Sequence, residues 1–61
     1  MATYTFTDHF MIPVLQHIES YKLKVLQLQP DGSNYILTTD GPVPVEEYDH
    51  LNVNYEFSEV V

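Results

Sequence analysis

Apolar and polar positions along the chain change period several times, and the changes divide it into elements. Tyr4 and Phe6 alternate with Thr3, Thr5 and Thr7, the period-two pattern of a strand built from aromatic and β-branched residues. Phe10, Val14, Leu15, Ile18 and Tyr21 then recur at helical spacings behind Asp8, a residue suited to cap a helix. Pro13 fits only a first helical turn, so the regular helix is expected to begin near Met11 or Ile12 after an irregular entry. From Tyr21 the pattern returns to alternation, with Tyr21, Leu23 and Val25 on one parity and Leu26 and Leu28 on the other. That slip predicts a strand with a bulge near Val25 and Leu26.

Pro30-Asp31-Gly32-Ser33 is a turn signal and closes a hairpin onto a strand over Tyr35–Thr39. A second turn follows at Asp40-Gly41-Pro42-Val43-Pro44. Val45 to Leu51 reads as a short helical turn, with Glu46 and Glu47 near its N-terminus. Leu51, Val53, Tyr55 and Phe57 alternate with Asn52, Asn54, Glu56 and Ser58, which predicts a final antiparallel strand. The expected fold is a single α+β domain over residues 1–61 in β-α-β-β-β order. One helix packs on a roughly four-stranded, mainly antiparallel sheet in two layers, and a split βαβ arrangement fits that order.

Composition bears on stability and partners. A chain of 61 residues buries only about 60% of the surface it exposes when unfolded. Without cysteine it has neither disulfides nor thiolate metal ligands, so association, including a homodimer, is the expected support. A hydrophobic fraction of 44% with eight aromatic residues is nevertheless too apolar for disorder. The N-terminus carries no basic residues, and the apolar run Phe10–Leu15 is far short of the roughly 18 residues of a membrane span. Cytoplasmic location without membrane contact is therefore expected. Nine acidic residues against two lysines give a net charge of −7. Direct binding of nucleic acid would work against that charge, so the expected partner is a protein with a basic surface.

No constellation for catalysis emerges. Ser20, Ser33 and Ser58 lie in no nucleophile elbow, and the adjacent Glu46 and Glu47 point to different faces. His9 and His17 would stand about 12 Å apart on a helix, too far to share a metal ion, and Asp49-His50 is an isolated pair. The two glycines occupy turns rather than a phosphate loop. An enzyme, a cofactor and a metal are accordingly not expected.

The acids are unevenly placed: Asp40, Glu46, Glu47, Asp49, Glu56 and Glu59 fall in residues 40–61, which hold no Lys or Arg. Carboxylates two apart on a strand repeat about every 6.7 Å, comparable to phosphates along a nucleic-acid strand. Such a row would act as a decoy for a nucleic-acid-binding protein, with Tyr48 and Tyr55 as anchors. In composition, though in no motif, the chain resembles the small inhibitors that bacteriophages make against host nucleic-acid enzymes, among them anti-restriction and anti-CRISPR proteins. That likeness transfers no residues. The competing expectation is an accessory subunit that adds an edge strand, Tyr35–Leu37 or Leu51–Phe57, to a larger assembly.

Overall fold

A computed structural model describes residues 1–60. Strand β1 (Ala2–Thr7) leads through a 3₁₀ turn (Asp8–Phe10) into helix α1 (Met11–Ser20). Strands β2 (Val25–Asp31) and β3 (Asn34–Thr39) form a hairpin, then helix α2 (Val45–Tyr55) and the short strand β4 (Ser58–Glu59) complete the chain. The α+β class, the four antiparallel strands and their order agree with the pattern of the sequence.

The sheet order is β2-β3-β1-β4 with every neighbouring pair antiparallel. Since β3 opposes both β1 and β2, those two run parallel with β3 between them, joined through α1. By the same reasoning β3 and β4 run parallel around β1, joined through α2. Two interlocked split βαβ units result, the β-α-β-β-α-β topology called ferredoxin-like.

Local chemistry explains most boundaries. Pro13 is the third residue of α1, where its missing N–H would have had no partner in any case. Asp8 does not cap: no side-chain hydrogen bond closes the N-terminus of the 3₁₀ turn or of α1. The strand expected from Tyr21 begins only at Val25, because Tyr21 to Leu23 end the helix. Lys22 adopts a left-handed φ of 61°, its N–H donates to Glu19 O, and Leu23 N–H donates to Ile18 O, a Schellman closure. The expected bulge is present as a register shift between Val25 and Gln27. Gly32 has φ 63° while Ser33 is not in the positive region, which makes the two-residue hairpin loop a type II′ turn.

The larger correction concerns the C-terminal third. Leu51 to Tyr55 belong to an 11-residue helix, and only Ser58 and Glu59 pair with β1. The alternating set contained a second, helical periodicity: Tyr48, Leu51 and Tyr55 share one face and pack on the core, whereas Val53 points out and is 79% exposed. Glu46 and Glu47 favour the helix N-terminus through its dipole. Glu56, at φ 54°, stops the helix and turns Phe57 back into the core.

Both helices cover the same face of the sheet. Tyr4 and Phe6 of β1, Leu37 of β3, Val14 and Ile18 of α1, Leu51 of α2, Val43 and Phe57 form one buried cluster. Its centre is aromatic: the rings of Tyr4 and Phe57 stack at 4.7 Å, and Phe6 lies 5.9 Å from Tyr35.

Candidate functional site

Helix α2 sorts the acidic residues by direction. With Leu51 buried and Tyr48 and Tyr55 packed on the core, the side chains of Val45, Glu46, Asp49 and Val53 fall on the opposite face and are all exposed. Val45, Asp49 and Val53 follow one another at four-residue spacing, a ridge about 12 Å long, and Glu46 stands beside it three residues before Asp49. Two carboxylates therefore sit between two valines that are 78% and 79% exposed.

The remaining predicted residues divide between surface and structure. Glu56 is exposed just past the C-terminal end of α2, and Glu59 is exposed on the edge strand β4. Asp40, at the end of β3, accepts the backbone N–H of Lys24 on Oδ1 at 3.0 Å and so holds the entry to β2. Glu47 turns the other way, toward α1, and accepts the Tyr21 hydroxyl at 3.3 Å. Neither tyrosine is a free anchor. The Tyr48 hydroxyl accepts the Glu59 N–H at 2.9 Å, with its ring 6.0 Å from Phe57, while the Tyr55 ring lies 5.5 Å from Phe10 and 5.6 Å from His17. The strand-borne row of carboxylates is replaced by a helical pair, because Leu51 to Tyr55 are helical.

A second cluster lies in the seam between the helices, where sequence spacing gave no signal. His17 of α1 and His50 of α2 face each other with ring centroids 5.6 Å apart. The Tyr21 hydroxyl is 3.4 Å from His17 Nδ1 and donates to Glu47, and Asn54 Nδ2 is 3.3 Å from His50 Nδ1. Burial raises the Tyr21 pKa above the usual tyrosine value, and the negative charge and hydrogen bond of Glu47, with a smaller effect from Tyr55, add to it. His17 and His50 bring the helices into contact from 33 residues apart in sequence, a distance no local pattern reports. Among the described residues no group of three or more His, Asp or Glu side chains converges as metal ligands, and no pocket is enclosed.

Among the described residues no ring is presented on the sheet face away from the helices, since Tyr4, Phe6 and Tyr35 all point into the core. A single-strand-binding sheet stacks bases on such rings. No helix of the described residues is long and apolar enough to cross a membrane. Comparison with known proteins returns no matching family model, no matching curated protein and no matching solved structure.

Proposed function

We propose that the chain is a non-enzymatic, cytoplasmic binding protein that presents the outer face of α2 to a basic, nucleic-acid-binding surface of a partner protein. On this reading it is an inhibitor of a nucleic-acid enzyme or effector complex. The reading rests on one observation: Glu46 and Asp49 project between the exposed Val45 and Val53 on a helix face that the fold itself does not use. Carboxylates steer a basic partner in and set its orientation, and the valines supply apolar contact once it has docked. Glu56 and Glu59 extend the negative surface toward β4. A net charge of −7 adds long-range attraction to any cationic groove.

The accessory-subunit alternative is weakened because its two candidate edges are not edges. Tyr35 to Leu37 lie in β3, between β2 and β1, and Leu51–Phe57 is mainly helix. The edges are β2, where the bulge at Val25/Gln27 and Pro30 both blunt strand addition, and β4, which is only two residues long.

The test is capture of partners from a bacterial lysate by the wild-type chain and by a Glu46→Lys/Asp49→Lys variant, followed by mass spectrometry. A nucleic-acid enzyme held by the wild type at low salt, released by added duplex DNA and not held by the variant, supports the proposal. An identical bound set for both chains, resistant to salt, would falsify it.

A further inference from the structure

One face of the sheet is covered by no helix, and it is uncharged at its centre. The register of β1 with β3 sets Thr3, Thr5 and Thr7 opposite Thr38, Ile36 and Asn34 on that face. Gln27 and Gln29 of β2 continue it on one side and Ser58 of β4 on the other. Asp31, at the hairpin end, is the single charge that the paired registers bring to its rim.

This matters in a molecule of net charge −7. A second copy approaching the α2 face meets like charges, which is costly when they are brought close. Against the open sheet face it meets threonine, glutamine, asparagine, serine, one isoleucine and the exposed Val60, whose N–H donates to Thr3 O beside β1. We propose that this face is a self-association surface, occupied by the same face of a second copy packed sheet to sheet. Ile36 and the threonine methyl groups provide the apolar contact, and hydroxyls and amides bond at the margin, much as Thr3 and Thr38 already meet at 3.5 Å within one copy. Identical patches related by a twofold axis close on themselves and form a dimer rather than a fibre.

The area sets the strength. Three strands about 20 Å long and the two-residue β4, set about 4.8 Å apart, present roughly 320 Å² of flat footprint. That is less than the roughly 800 Å² per partner of a standard interface, so the dimer is weak and depends on concentration. Because α2 lies on the other side of the sheet, dimerisation leaves the acidic helix of each copy free. The salt response also separates the two surfaces. Screening removes the long-range repulsion between two acidic copies, so salt tightens the dimer while it loosens a basic partner.

Sedimentation equilibrium at protomer concentrations between about 10 μM and 1 mM, at low and high salt, reads this directly. The expected result is a mass that climbs from 7.1 kDa toward twice that value, sooner at high salt. Thr5→Lys, at the centre of the face, reduces the net negative charge of each copy yet sets lysines against each other across the contact. It is expected to raise the dissociation constant at least about tenfold. Gln16→Lys, exposed on α1, makes the same charge change away from the face and is expected to leave the dimer intact. Amide shifts of the wild type on dilution provide a reading that needs no variant, and changes at Thr3, Thr5, Ile36 and Thr38 are expected. A constant 7.1 kDa mass under all conditions, a dimer indifferent to Thr5→Lys, or shifts confined to α2 would each overturn the proposal.

Discussion

Tyr4 ties the ends of the fold together with one side chain. Its ring stacks on Phe57, and its hydroxyl, buried with it, accepts the backbone N–H of Val43 at 2.9 Å. Tyr4→Phe preserves the packing and leaves that N–H without a partner, so urea unfolding should show a loss of about 1–3 kcal/mol. Tyr21 makes a different prediction. Its pKa lies above the usual value in the folded chain, through burial first and then Glu47, whereas in the unfolded chain it returns to about 10. A raised folded pKa contributes stability that is complete below about pH 10 and is lost as pH climbs through the folded value. Urea midpoints of the wild type should therefore fall as pH rises above about 10, and Tyr21→Phe should flatten part of that fall.

Among the elements, α2 carries both the error of the sequence pattern and the reason for it. Leu51, Tyr55 and Phe57 are apolar and inward, as strict alternation required, and the fourth member, Val53, is the one that fails. Alternation and helical spacing share Leu51 and Tyr55, so a few residues satisfied both periods. Length decides in favour of the helix, because Tyr48 extends the inward face by another turn. Strand β1, β3 and α1 were legible because each has a single period, and the hairpin because Gly32-Ser33 punctuates it, whereas the start of β2 was misplaced where the parity slips at Val25. The candidate site was half legible: Glu46 and Asp49 were chosen for charge, while Val45 and Val53 were passed over because their exposure exists only once α2 is a helix.

Glu56 ends that helix with a left-handed φ of 54°, which glycine adopts at no steric cost. Glu56→Gly should raise stability by about 0.5–1 kcal/mol in thermal unfolding. Leu51→Ala, by contrast, should cost about 2–5 kcal/mol, since Leu51 is fully buried between α2 and the sheet. Reversal of the exposed Glu46 and Asp49 should change stability by only about 0.5 kcal/mol, so any loss of binding in that variant reports on the surface.

Taken as one body, the domain has two faces of opposite character. The helices and the Glu46–Asp49 pair lie on one side of the sheet, and a threonine-rich surface charged only at Asp31 on its rim lies on the other. With no cysteine and a core of eight residues among those described, its stability margin is small, and the proposed association through either face would add to it by mass action. The two proposed associations would respond to salt with opposite sign, which makes ionic strength the most informative variable.

The measurement to make is therefore the affinity of the captured partner for the wild-type chain and for the Glu46→Lys/Asp49→Lys variant across a series of salt concentrations. The acidic outer face of α2 predicts tight binding at low salt that weakens steeply as salt rises, and little binding by the variant at any salt. Equal affinities for the two chains, flat against ionic strength, would contradict it and move the functional surface away from α2.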